Sequence, residues 1–180
     1  LERSPRQAPR ENLALNIRRL QGEQGLDVQG LEVRQGEIVG LAGLNGAGRS
    51  TLLKALFGVG RNDSDVELFG QPYHPQTSRQ AIRQGVGLVP ENRKTEGLLL
   101  DAPIYRNACL VHTRHLNWFS HRQAKDRAGP VLQRLQTKLD NLEQPVRQLS
   151  GGNQQKVVMA KWVIDGARLL LLDEPSRGLD

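Results

Sequence analysis

The residues with the clearest chemistry lie in Gly43-Leu44-Asn45-Gly46-Ala47-Gly48-Arg49-Ser50-Thr51. Glycines at 43, 46 and 48 let a backbone take positive φ and come close to an anion with no Cβ in the way. The spacing from Gly43 through Gly48 to Arg49 and Ser50 is that of a phosphate-cradling loop, with Arg where the pattern has Lys. Ser50 is placed to offer a hydroxyl to a phosphate-bound Mg²⁺, and Arg49 to lay positive charge along the outer phosphates. Downstream, Leu169–Leu172 is an apolar run of strand length that ends in Asp173 and Glu174. Ligands gather beyond the carboxyl ends of such strands in open α/β sheets. Asp173 would face the Mg²⁺ held by Ser50, and Glu174 the water that attacks a terminal phosphate. The third group is Leu149-Ser150-Gly151-Gly152-Asn153-Gln154, where Ser150 can cap a helix carrying Val157, Val158 and Trp162. This makes a second helix end suited to an anion, and one nucleotide rarely needs two clamps unless the second serves another site.

These groups need elements to hold them. Glu37–Ala42 followed by the glycine loop and Leu52–Phe57 has the order strand, loop, helix, so the loop would meet the positive end of the helix dipole. Leu13–Ile17, Leu26–Val28 and Leu31–Val33 alternate apolar with polar residues and are expected as short antiparallel strands, with Gly36 turning the chain toward the loop. Arg61–Ser64 is expected as a turn, Val66–Gly70 as a strand and Gln80–Arg83 as a short helix. Val86–Val89 reads as a buried strand that Pro90 ends. From Glu91 to Gln148 the texture becomes helical, with helices expected over Asn107–Val111 and Arg122–Leu139, so a helical lobe is inserted in an α/β body. Within it His112, His115 and His121 have the spacing of neither a zinc finger nor a metalloprotease helix, and Trp118 and Phe119 suit core or contact roles.

Composition narrows the classes. A single cysteine, Cys109, excludes an intrachain disulfide framework and suits core filling. No apolar run approaches the ~18 residues of a membrane helix. The net charge of +6 is dispersed, and two Trp, two Tyr and three Phe do not build an aromatic-interleaved basic face for nucleic acid. A mildly basic surface suits anionic lipid or an acidic partner equally well. The opening Leu1–Arg10 is polar, Pro-bearing and linker-like, and the only Met is Met159, so the sequence is expected to be a piece of a longer chain.

Leu149-Ser150-Gly151-Gly152-Asn153-Gln154-Gln155-Lys156, followed by Leu171-Leu172-Asp173-Glu174-Pro175, resembles the signature and magnesium-strand motifs of ATP-binding cassette ATPases. With the glycine loop, Val89–Lys94 and Ser176–Asp180, residues 12–180 resemble the second nucleotide-binding domain of sugar-type importers of the ribose, xylose and galactose class, with the autoinducer importer a near relative. The resemblance implies a P-loop NTPase core of ABC ATPase type. Residues 12–90 and 150–180 would form that α/β core with its N-terminal antiparallel β subdomain, and 91–149 the inserted helical subdomain. Residues 1–11 would be a linker. It implies ATP and Mg²⁺ as cofactors, and Leu149, Ser150, Gly151, Gly152, Asn153 and Gln154 would act on ATP held by a first nucleotide-binding domain of the same full-length chain. It also implies permease subunits as partners, pressed against Glu91–Arg106, a periplasmic solute-binding protein reached indirectly, no nucleic acid, and a peripheral place on the cytoplasmic face of the cell membrane.

The sequence departs from the family pattern at three points. Arg49 replaces Lys, Glu91 stands where a Gln usually senses Mg²⁺ and the attacking water, and no aromatic precedes Phe57 to stack on adenine. These departures imply a weak site on this chain's own loop beside an intact signature. The ending at Asp180, before the family's switch His, leads to the expectation of a C-terminally truncated cassette with little ATPase of its own and a tendency to self-associate. The competing readings are a nucleic-acid-associated cassette ATPase and a non-hydrolysing regulatory nucleotide-binding domain.

Overall fold

The computed structural model describes residues 11–111 and 120–176, in two compact units within 1–83 and 84–180.

In the first unit β1 (Leu13–Gly22) and β2 (Asp27–Arg34) form an antiparallel hairpin, β1 pairs on its other edge with β3 (Asn62–Leu68), and β4 (Gln71–Pro72) follows, giving the order β2-β1-β3-β4. Ile17 lies opposite both Leu31 and Val66. A bulge in the β1–β3 register between Ile17 and Arg19 lets Ile17 and Leu20 face the core while Arg18 and Arg19 both face solvent. Arg18 there binds Asp65 at 3.2 Å and Glu67 at 2.6 Å. The expected strands at 26–28 and 31–33 are one strand, because Gly30 at φ 68° carries the chain through without a turn. The expected turn at Arg61–Ser64 is largely strand, since Asn62, Asp63 and Ser64 pair with Gly22, Gln21 and Leu20. The hairpin partner overrides the polar composition there.

Helix α1 (Arg49–Leu56) packs Leu52, Leu53, Ala55 and Leu56 inward. It ends in a Schellman arrangement, with Gly58 N–H donating to Ala55 O and Val59 N–H to Lys54 O. Tyr73, buried, donates its hydroxyl to Leu56 O at 2.6 Å, and this burial raises its pKa. Gly58 could hold no side chain, because a Cβ would lie 2.6 Å from the Thr77 backbone. Helix α2 (Ser78–Arg83) closes the unit. Residues 37–42, expected as a strand, form none; Ile38 is 95 % exposed. Glu37 N–H closes a turn on Arg34 O at 3.1 Å, but among the described residues no strand pairs with 37–42, and apolar composition alone does not make a strand.

In the second unit β5 (Val86–Val89) and β6 (Leu169–Leu172) pair in parallel, Val86 opposite Leu169 and Val89 opposite Leu172. Helices α3 (Ile104–Ala108), α4 (His121–Arg134) and α5 (Gly151–Asp165) form the helical part. Val157, Val158, Ala160 and Trp162 of α5 are buried. Trp162 lies so close over β5 that a Cβ on Gly87 would fall 2.8 Å from its ring. Helix α3 starts and stops three residues before the expected 107–111 span. Helix α4 opens on a Ser120/Gln123 capping box and ends at Arg134, short of the expected Leu139. Its stop is another Schellman arrangement, Gln136 N–H to Gln133 O and Thr137 N–H to Leu132 O, with Gln136 at φ 54°. Glycine is the usual sign of such a stop, and glutamine hides it. Cys109 is buried, its thiol donating to Ala124 O at 3.4 Å, and burial raises its pKa against the lowering effect of Arg127. His112, His115, Trp118 and Phe119 lie outside the described residues. His121 contacts the Tyr105 hydroxyl through Nδ1 and the Arg106 guanidinium through Nε2, both at 3.2 Å.

Candidate functional site

The glycine loop begins with a turn in which Ala47 N–H donates to Leu44 O at 3.1 Å. Gly46 sits at φ 83° and Gly48 at φ 81°, the latter as N-cap of α1. These left-handed positions explain two of the three glycines. The third, Gly43, is explained by contact, since a Cβ there would lie 3.0 Å from that of Ala47. Gly48 O accepts the first helical bond, from Leu52 N–H at 2.8 Å. Arg49, Ser50 and Thr51 therefore occupy the first turn of α1, where a helix presents amides that have no intrahelical acceptor. Leu44 and Asn45 are exposed at the tip. Beside the loop stands the connection between β1 and β2. Leu26 is 3.4 Å from where a Gly48 Cβ would be, and Gln24, at φ 58°, meets the Thr51 hydroxyl at 3.4 Å. An aliphatic side chain, Leu26, thus stands beside Gly48.

In the other unit three carboxylates gather at one end of the parallel pair. Asp173 N–H donates to Val89 O at 2.9 Å, which places Asp173 just past the end of β6 and Glu91 two residues past the end of β5. Asp173 is 4 % exposed, while Glu174 is exposed and held at φ 45°. A non-glycine residue in that conformation is strained, and such strain concentrates at functional sites. After Glu91, the Asn92 side chain accepts from Lys94 N–H and Thr95 N–H and caps a single π-helical turn, Arg93–Gly97. Ser50 belongs to the first unit and Asp173 to the second. Both offer hard oxygen donors, so the residue types fit Mg²⁺.

The signature residues open α5. Ser150 is its N-cap, as expected, but its side chain bonds no backbone amide. Its Oγ instead accepts from Asn153 Nδ2 at 3.0 Å, because Asn153, on the same helical face, competes for the hydroxyl. Asn153 Oδ1 in turn accepts Lys138 N–H at 2.9 Å, and Lys156 Nζ donates to Gln136 O at 2.7 Å. Gln154 is buried and donates to Leu149 O at 3.0 Å, turning the chain into the helix, and Leu149 is buried beneath it. Gly151 and Gly152, both half-buried, form the first turn.

Two polar residues of this unit gave no signal in the sequence. Asn107, fully buried, receives Leu99 N–H and donates to Leu99 O, Ala102 O and Pro103 O. It shapes the 99–103 loop, which is joined to the segment before the signature by Ile104 N–H to Gln144 O, Val146 N–H to Ala102 O and Arg147 N–H to Leu100 O. Lys161, on α5, reaches Gly97 O. The Lys161 bond joins residues distant in sequence, and the Asn107 bonds shape a loop no motif marks.

The sequence profile of the family described as ABC transporter matches residues 26–177. The chain belongs to that family. Among relatives, it is 43 % identical to a ribose import ATP-binding protein of Mesorhizobium japonicum over 173 residues, 88 % of this chain and 34 % of that one. It is 43 % identical to one of Pseudomonas putida over 179 residues, 96 % of this chain and 34 % of that one. The chain thus spans about a third of the length of these relatives. Its fold is that of solved ATP-binding cassettes. The dimeric, ADP- and phosphate-bound cassette MJ0796 matches with a TM-score of 0.73 at 20 % identity, over 92 % of this chain and 76 % of that one. CbiO1 of Clostridium perfringens matches with 0.71 at 22 %, over 94 % and 68 %.

Proposed function

We propose that this chain is a nucleotide-binding domain of a ribose-class sugar importer, coupling ATP binding and hydrolysis to movement of membrane subunits. The observation that carries the reading is the turn from Gly43 to Gly48, with Gly46 and Gly48 at positive φ, delivering the chain into the first turn of α1. Backbone N–H groups, Arg49 and Thr51 would bind the phosphates there. Ser50 and Asp173 would hold Mg²⁺, which neutralises charge on the outer phosphates when bound. Glu174, placed beyond β6 next to Asp173, would orient and deprotonate the attacking water, with Glu91 accepting from the same water. Ser150, Gly151 and Gly152 would serve ATP held by a partner nucleotide-binding domain, in keeping with a serine hydroxyl that caps none of its own helix amides. Residues 91–106 would face the permease, and the whole would sit peripherally at the cytoplasmic membrane surface. Among the described residues no helix is long and apolar enough to cross a membrane.

A second reading concerns turnover. Leu26 beside Gly48, in a sequence with no aromatic before Phe57, together with Arg49 and Glu91, favours a loop that binds nucleotide and hydrolyses it slowly or not at all. Titration of the chain with MgATP tests the phosphate site. Binding that weakens about tenfold or more in Arg49→Ala is expected, and no binding, or binding indifferent to that change, contradicts the assignment.

A further inference from the structure

Lys161 is a charged residue in the core of the second unit. It is 6 % exposed on α5, its Nζ donates to Gly97 O at 2.9 Å, 64 residues away in sequence, and the same Nζ stands 5.3 Å from the Trp162 ring centroid. An ammonium is costly to bury, and an aliphatic residue would fill the same volume without that cost. The acceptor explains its presence. Gly97 closes the π-helical turn that begins two residues after Glu91, and it is pressed under α5, with Val158 Cγ2 3.3 Å and Pro90 Cγ 3.4 Å from the position a Cβ would take. The turn is internally rigid, because Asn92 caps its start and Glu96 N–H donates to Asn92 O at 2.9 Å.

We infer that Lys161 is a positioning residue that locks the Glu91–Gly97 segment to α5, so that Glu91 and the helix opening at Ser150 move as one body. The consequence for catalysis rests on the proposed nucleotide roles of Glu91 and Ser150; the mechanical link does not. The same helix is held near its start by Asn153 and Lys156 on the 136–138 segment, so Lys161 is the tie on the side of Glu91. Burial lowers the Lys161 pKa to about 8, in keeping with an amine held in an apolar setting by a carbonyl dipole.

Hydrogen exchange on the purified chain reads the link without nucleotide. Lys161→Met is expected to speed exchange of the 92–99 amides about tenfold or more while 104–108 and 151–158 keep their protection, and Lys161→Arg to restore most of it. Unchanged exchange at 92–99, or equal loosening of the whole helical part, overturns the proposal. If the Met variant does not fold, Gly97→Ala displaces the acceptor from the other side and is expected to loosen 92–99 alone; a uniform rise overturns it equally. In the assembled transporter, Lys161→Met is expected to leave phosphate release within about threefold, since it loosens only the Glu91 side of this chain's own slow site. A tenfold or greater loss of turnover contradicts the placing of Glu91 at the weaker site. Failure of the unaltered chain to bind MgATP would sink the functional reading and leave the exchange result standing.

Discussion

Lys161 and Asn107 carry charge and amide groups into a core where each must be satisfied. The folded pKa of Lys161 is about 8, below its ordinary 10.5, because burial disfavours the ammonium. Between those values the unfolded chain binds more protons, so the penalty is full below pH 8 and is relieved as pH rises toward 10.5. Stability measured by urea unfolding should therefore climb by up to about 3 kcal/mol across that window, and Lys161→Met should flatten the climb. Asn107→Ala strands Leu99 N–H and the carbonyls around it, and a loss of about 3 kcal/mol is expected in the same assay. Neither residue could be picked from the sequence, because what defines each is a carbonyl supplied by another segment. The glycine loop was legible for the opposite reason: its chemistry is local, and spacing alone sets where Gly46, Gly48 and Arg49 stand. Ser150 shows the boundary between the two cases. Its N-cap position was readable, but Asn153 decided what its hydroxyl does.

At the scale of elements, local signals failed where a partner or an unusual residue took over. Gln136 at φ 54° ends α4 as a glycine would, and the pairing with β1 draws Asn62–Ser64 into β3. Residues 37–42 have a strand's composition but no pairing neighbour among the described residues. The buried β5, by contrast, was legible from Val86–Val89 and the Pro90 that follows, and β6 from its four leucines. The contact between β5 and α5 supplies a sharp test. Gly87→Ala places a methyl 2.8 Å from the Trp162 ring, and overpacking of this kind costs about 1–3 kcal/mol. Thermal unfolding should register that loss, and shortening the ring in Gly87→Ala/Trp162→Leu should give less than the sum of the two single effects, since one clash is being relieved.

For the whole molecule, the proposed function divides the work between two helix ends. The first turn of α1 would bind this chain's own nucleotide behind Arg49, and α5 would lend Ser150, Gly151 and Gly152 to ATP on a partner domain. Membership of the ABC transporter family and the cassette fold frame this proposed division. Charge reversal at Arg93 and Lys94 in the full transporter should cut solute uptake while leaving nucleotide binding intact; loss of binding would count against a permease-facing role for that segment. The most direct test of the division is phosphate release by the assembled transporter carrying either Gly151→Asp or Arg49→Ala. A carboxylate placed against a partner's terminal phosphate should lower turnover by roughly a hundredfold or more, while loss of Arg49 should leave it within about threefold. Equal losses from the two variants, or a larger loss from Arg49→Ala, would contradict the account.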